Sequence, residues 1–155
     1  MSTSYRPAGY HTVTPSITVR HGANALAFYK DALGASEVMR FELPGGVIAH
    51  AEIEIGGARV MLADEMPEWG NRGPESLGGT SGGLCVFVPD VDAAFATAVA
   101  AGAKVVRPVQ DQFYGDRSGT LLDPFGHQWT LATHIEDVSP EEMQRRFAAM
   151  MGQSA

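Results

Sequence analysis

Two pairs of side chains have the residue types and the spacing that acid–base or metal chemistry requires. His50 and Glu52 stand two residues apart in "VIAHAEIEI", so on a strand both project from the same face. An imidazole next to a carboxylate can pass a proton or help to hold a divalent ion. His127 and His134, in "DPFGHQWTLATH", are seven residues apart, so a regular strand directs them to opposite faces. We therefore predict His50 and Glu52 as catalytic candidates and His127 as a structural residue.

The elements that must position these side chains occur twice. "TPSITVR" alternates like a strand, "NALAFYKDALG" has helical spacing, and "ASEVMRFEL", "VIAHAEIEI" and "ARVMLAD" alternate again. The same order returns in "LCVFVPD", "DVDAAFATAVAAG", "AKVVRPVQ", "DRSGTLLD" and "HQWTLATH". Placing "ITV" at 17–19 on "VFV" at 86–88 also places "GARVML" at 57–62 on "GHQWTL" at 126–131. The repeat predicts an α+β fold of two tandem βαβββ modules, about 11–64 and 84–134, joined by a linker loop at 65–83, in one domain over residues 1–137.

A further helix is predicted in the segment 138–155. Ser139, Pro140 and Glu142 form the pattern of a capping box. Met143, Phe147 and Met150 then make an apolar stripe. This stripe must pack on its own domain or on a partner subunit, and the sequence leaves both alternatives open.

Period-two sorting assigns each strand an apolar face and a mixed face. The apolar side, which we predict as core under the helices, holds Ile17, Val19, Val60, Leu62, Leu84, Val86, Val88, Trp129 and Leu131. In "VIAHAEIEI", Val47 is sorted inward and Ile48 outward with His50. The mixed side holds Thr14, Ser16, Met61, Cys85, Phe87, Gln128 and Thr130. Because the modules are duplicated, we expect the two mixed faces to meet and line a ligand cavity.

The composition excludes some partners. The formal net charge is -7 and the pI is about 5.1, whereas nucleic acids and anionic membranes attract clustered Lys and Arg. The first residues lack the pattern of a secretory signal, and no apolar run is long enough to span a bilayer. One Cys cannot form an internal disulfide. We therefore expect a cytoplasmic protein without nucleic acid or membrane partners.

The chain resembles the vicinal oxygen chelate superfamily, which includes glyoxalase I, fosfomycin-resistance proteins, bleomycin-binding proteins and extradiol dioxygenases. "TPSITVRHGANALAFYKDALG", "HAEIEIGGARVMLAD" and "YGDRSGTLLDPFGHQWTLATH" carry this similarity, over about residues 11–137 and most closely to the PhnB-like, bleomycin-resistance-like branch. The resemblance implies a curved, open, barrel-like cavity and a homodimer with cavities at or near the interface. It also places the metal-ligand positions of metal-using members at Thr14, Met61, Gly83 and Thr130. None of these is a usual ligand for a divalent metal, so we expect no metal cofactor.

Four further residues are candidates for ligand contact. Trp69 could cover the cavity from the linker loop, although such a residue is as often a packing anchor. Tyr114 and Arg117 lie where the resemblance places the cavity rim, and Arg117 could bind an anion or carbonyl or form a salt bridge instead. Cys85 is more simply a small apolar side chain than a nucleophile. Two functions are consistent with these residues: a metal-free small-molecule-binding protein, and a glyoxalase-like lyase or isomerase that uses His50 and Glu52 or a divalent metal at a relocated site.

Overall fold

A computed structural model of the protein describes residues 4–152 and has the two predicted modules. In the first module the elements are β1 (Ser16–Val19), α1 (Gly22–Leu33), β2 (Ser36–Leu43), β3 (Val47–Ile55) and β4 (Ala58–Asp64). The linker contains a 3-10 turn at Pro67–Trp69 and a one-turn helix, α2 (Pro74–Leu77). The second module and the appended helix comprise β5 (Gly83–Phe87), α3 (Val91–Ala101), β6 (Lys104–Asp111), β7 (Asp116–Leu122), β8 (Gln128–His134) and α4 (Pro140–Gly152).

Each module folds into an open four-stranded mixed sheet. The strand orders are β1-β4-β3-β2 and β5-β8-β7-β6. In both sheets the first strand is parallel to the last, and the remaining pairs are antiparallel. The shared topology confirms the α+β fold and the internal repeat predicted from the sequence.

The two modules pack together through their helices. Helices α1 and α3 contact each other, and each contacts the strands of its own sheet. An aromatic group of Phe28, Tyr29, Phe125 and Trp129 joins α1 to the second sheet. The predicted core is confirmed: Ile17, Val19, Val60, Leu62, Trp129 and Leu131 are buried, while Leu84, Val86 and Val88 are partly buried against the same core.

Strand β3 departs from regular alternation at one point. Phe41 pairs with His50, but the next pair is Glu42 with Ile48, so Ala49 is an extra residue that forms a β-bulge. The bulge turns Ile48 into the core, where it is 0% exposed, whereas Val47 is 36% exposed. The predicted sides of Val47 and Ile48 were therefore wrong, because period-two sorting assumes an uninterrupted strand.

Both long helices are anchored by the last strand of their own module. The Gly22 amide donates to Asp64, and the Val91 amide donates to the Thr133 hydroxyl. Each bond joins residues 42 positions apart. This satisfies an N-terminal N–H group that has no partner within its helix. The repeat thus conserves the position of a helix anchor between modules while its chemistry changes from carboxylate to hydroxyl.

Helix α4 packs on its own domain. Phe147 contacts Phe113 of the β6–β7 loop, with ring centroids 5.6 Å apart. Arg146 forms an ion pair with Glu136 at 2.8 Å and donates to the Phe113 carbonyl. The Glu142 amide donates to Ser139, as half of the predicted capping box. The sequence left open whether this helix packs on its own domain or on a partner subunit, and the structure contains the packing on its own domain. Within residues 4–152, no helix has the length and apolar character to cross a membrane.

Candidate functional site

The mixed faces of the two sheets line separate pockets within one chain. Because α1 and α3 pack between the modules, the second face of each sheet is directed away from the helices. Thr14, Glu52 and Met61 line a pocket of about 390 Å³ on the first module. Tyr114 and Thr130 line another of about 310 Å³ on the second. The expected single cavity is therefore not formed within one chain, although Arg59 of the first mixed face and Cys85 and Phe87 of the second line one groove between the modules.

Glu52 of the first pocket is the centre of a hydrogen-bonded chain of three titratable groups, in which Tyr10 also lines the pocket and His50 lies beside it. Glu52 is 5% exposed and accepts hydrogen bonds from the Tyr10 hydroxyl and from Nε2 of His50, the latter at 3.1 Å. The bond from Tyr10 and then the one from His50 hold the pKa of Glu52 below its usual value, and the same bond to Glu52 raises the pKa of Tyr10. Glu52 is thus an ionised acceptor between two donors. The ring of His50 also stacks on Phe41, at 6.2 Å between centroids.

The N-terminal segment brings Tyr10 to this pocket, and Arg59 supports it there. The Arg59 guanidinium lies 5.9 Å from the centroid of the Tyr10 ring, a cation–π distance. It also reaches Glu54 at 3.5 Å, while its Nε and Nη1 atoms are buried and have no hydrogen-bond partner in the described part of the chain. Sequence reasoning missed Tyr10 because it lies outside any periodic element, 42 residues from Glu52.

The second pocket is lined by hydroxyl, amide and guanidinium groups. Its lining consists of Arg107, Gln110, Gln112, Tyr114, Ser118, Gly119, Thr120 and Thr130. Across the sheet Arg107 pairs with Thr120, whose hydroxyl lies 3.2 Å from that of Thr130. Gln110 pairs with Ser118 in the adjoining row. The lining found among residues 4–152 thus includes one cation and no Asp or Glu.

An irregular strand explains why Arg107 and Gln110 were missed. They are three residues apart, so a regular strand would direct them to opposite faces. Their partners Thr120 and Ser118 are only two apart, which places a bulge on β6 between Arg107 and Gln110. Pro108 lies within it and has no N–H for the ladder. This proline was the available sequence signal for an interrupted strand.

The remaining predicted ligand contacts are dispersed. Ser16 is opposite Met61, and Gln128 is opposite Gly83, on the mixed faces. Cys85 and Phe87 line a third, mainly apolar groove of about 250 Å³ between the modules. Burial raises the pKa of the Cys85 thiol, which favours the uncharged form. Trp69 is 67% exposed at the end of the linker's 3-10 turn.

Arg117 is a structural residue in this geometry. It donates to both carboxylate oxygens of Asp92 at 2.8 and 2.9 Å and to Asp111 at 2.8 Å. Arg117 projects from the same face of β7 as Gly119 and Leu121, which is the helix-facing side of the sheet. The prediction that Arg117 lies at the cavity rim was therefore wrong, and the salt-bridge alternative is the correct one.

The two histidines of "DPFGHQWTLATH" lie in different structural networks. His127 is buried, and its Nε2 is 2.8 Å from the Thr18 carbonyl, which confirms its structural role. His134 is exposed and bridges Asp116 at 2.7 Å and Asp137 at 2.9 Å. Both carboxylates raise the pKa of His134, Asp137 most strongly.

The donor set at the family's metal positions does not fit a divalent ion. Thr14 and Met61 line the first pocket, and Thr130 lines the second. Hydroxyl and thioether groups are weak ligands for hard or borderline divalent ions, and Gly83 has no side chain. Over residues 4–152, no three His, Cys, Asp or Glu side chains form a cluster that could hold a metal.

Comparison with known proteins defines the class. Residues 10–131 match the model of the Glyoxalase/Bleomycin resistance protein/Dioxygenase superfamily. The uncharacterized protein Rv0887c of Mycobacterium tuberculosis is 42% identical over 144 residues, which cover 91% of this chain and 83% of that protein. The chain belongs to this superfamily.

Solved structures share the fold. TioX from Micromonospora sp. ML1 is similar with a TM-score of 0.63 and 26% identity, covering 81% of this chain and 99% of that one. A PhnB protein from Bacillus cereus has a TM-score of 0.62 at 18% identity, over 79% of this chain and 99% of that one. The latter similarity bears on the fold alone.

Proposed function

We propose that the protein is a metal-free, small-molecule-binding protein of the PhnB-like, bleomycin-resistance-like branch. The observation that carries the proposal is the second pocket, where hydroxyls, amides and one guanidinium converge on a concave surface. Such a set of directional groups in a cleft is typical of small-molecule recognition. The absence of ligand-type side chains at Thr14, Met61, Gly83 and Thr130 supports binding without a metal.

We further propose that the working form is a homodimer. Both pockets are open in a single chain, and the outer strands β2 and β6 expose apolar side chains that a second copy could cover. These are Val38, Met39, Phe41, Leu43, Val105 and Val106. Met39 and Phe41 pair across the sheet with Glu52 and His50, so a subunit seated there would enclose the first pocket. A cytoplasmic location remains part of the proposal and suits the single, unpaired Cys85.

The second candidate function is a glyoxalase-like lyase or isomerase, and the Tyr10–Glu52–His50 chain favours it. Glu52 holds Nε2 of His50, so Nδ1 is the ring nitrogen that could remove a proton from a bound substrate. Tyr10, whose one hydroxyl proton is bonded to Glu52, would have to exchange that bond for one to the substrate in order to donate toward a developing oxyanion. This arrangement needs no metal for either proton transfer.

One screen distinguishes the two functions. The purified protein is exposed to methylglyoxal hemithioacetal, fosfomycin, bleomycin-like drugs and a metabolite library, with thermal shift and product formation followed in parallel. Stoichiometric binding without turnover is the result expected for the first function. Turnover that is lost in both His50→Gln and Glu52→Gln, with binding retained, would replace it with the second.

A further inference from the structure

Arg107 differs from most arginines of this protein in having no hydrogen-bond or ion-pair partner among residues 4–152. Arg40, Arg117, Arg145 and Arg146 each form a close ion pair with a carboxylate. The side chain of Arg107 lines the second pocket, yet it makes no hydrogen bond or ion pair with any other residue in 4–152. A guanidinium has five N–H donors, so this pocket contains a cation with its full donor capacity available.

The lining around Arg107 adds polar groups and contains no carboxylate from the described part of the chain. Gln110 contributes an amide and Tyr114 a hydroxyl. The Gln112 amide N–H donates to the carbonyls of Gln110 and Ser118 at 3.5 Å, and the Thr120 hydroxyl lies 3.2 Å from that of Thr130.

Two carboxylates lie outside the lining but near it, and each has a partner: Asp111 on β6 is bound to Arg117 at 2.8 Å, and Asp116, on the same face of β7 as Ser118, is 2.7 Å from His134. In a chain with a net charge of -7, the general field repels anions, so a locally positive pocket is a specific feature.

From this arrangement we infer that the second pocket binds small organic oxyanions, with a carboxylate or phosphate group on Arg107. This inference rests on the proposed small-molecule function and names its ligand class. The planar guanidinium fork matches either oxyanion with two parallel hydrogen bonds. The amides and hydroxyls then pair with hydroxyl or carbonyl oxygens elsewhere on the ligand.

The pocket volume indicates how much of a ligand the lining can surround. Arg107 and Gln110 reach the same side because of the β6 bulge, and Tyr114 of the β6–β7 loop completes the lining. Tyr114 is packed edge-on against Phe113, which contacts Phe147 of α4. At about 310 Å³, and with about 30 Å³ per water-sized group, the pocket has room for about ten non-hydrogen atoms.

Matched pairs of probes test the inference. Glycerate and glycerol 3-phosphate are each compared with neutral glycerol by isothermal titration at low ionic strength, so the carboxylate and the phosphate are tested separately. At least one anion is expected to bind more tightly than its neutral counterpart. Arg107→Met should weaken that binding about tenfold or more, and Arg107→Lys should weaken it less. Arg72→Met is the matched control, because Arg72 is exposed and lies outside the pocket lining.

The outcomes separate this inference from the proposed function. Because Arg107 is exposed on an outer strand, its variants should keep the wild-type melting temperature, which the thermal shift verifies. The inference is overturned if neither anion binds more tightly than its neutral counterpart. It is also overturned if Arg107→Met leaves anion binding unchanged. Neutral library compounds that bind in that case would leave the small-molecule function standing. A library without any binding compound would instead count against the function itself.

Discussion

The buried carboxylate of Asp123 provides a stringent test of how the two modules are joined. Its Oδ1 accepts the backbone amides of Phe125 and His127 at 2.8 and 2.9 Å. Its Oδ2 accepts the Tyr29 hydroxyl of α1 at 2.7 Å and the indole N–H of Trp129 at 2.8 Å. Desolvation, together with the charge of Asp123, raises the pKa of Tyr29, so this hydroxyl remains a donor. One carboxylate therefore satisfies four donors and ties the first helix to the second sheet.

Asp123→Asn keeps the shape of the side chain but replaces one acceptor oxygen with an NH₂ group. That group faces two buried donors whichever way the amide is turned. A hydrogen bond to a charged group contributes about 1.5–3 kcal/mol, and an unsatisfied buried donor costs about 1–3 kcal/mol. Since the Tyr29 hydroxyl can rotate and the indole N–H cannot, we expect the free energy of unfolding to fall by about 3 kcal/mol. Urea unfolding followed by tryptophan fluorescence measures the change.

Two further variants make this test specific. Asp31→Asn removes an exposed carboxylate on α1 and should change the free energy of unfolding by less than about 0.5 kcal/mol. Tyr29→Phe combined with Asp123→Asn should destabilise by less than the sum of the two single changes, because both remove the same bond. A loss below about 1 kcal/mol for Asp123→Asn, or strict additivity with Tyr29→Phe, would refute the reasoning.

Three other predictions follow from the site and the surface. The NMR titration of His134 should have its midpoint above the usual pKa of about 6.5, and Asp137→Asn should lower it, because Asp137 is the main cause of the raised pKa. The stability that His134 gains from Asp116 and Asp137 is then fully present below the unfolded-state pKa of His134 and is lost as the pH rises through its folded-state pKa. An unshifted midpoint would contradict the bridging geometry. Tag-free protein should contain no stoichiometric Zn, Ni, Mn or Fe and should show no thermal shift with these ions, whereas a bound metal that is lost in Glu52→Ala would overturn the metal-free proposal. Light scattering should give a dimer for the full chain and also for a chain ending at Ile135, because α4 packs on its own domain; a truncated monomer would assign α4 to the interface.

Local sequence patterns determined the fold. The alternation of β4 and β8 and the helical spacing of α1 and α3 recur in the same order, and the residues that form the core under the helices are apolar. These signals are local because a strand or helix buries one face at a fixed period. The capping pattern at Ser139 was likewise sufficient to place a helix start, and Ser139 accepts the expected bond from the Glu142 amide.

Tertiary structure decided the composition of the candidate sites. Tyr10 reaches Glu52 across 42 residues, and the bulge at Pro108 brings Arg107 and Gln110 to one side of the sheet. Neither a long-range contact nor an extra residue in a strand leaves a periodic signal, so the sequence selected Arg117 in place of Arg107. Sequence spacing specifies the side on which a residue lies within a regular element. Which sides face each other is set by how α1 and α3 pack between the sheets, because only that packing directs the two polar faces into separate pockets.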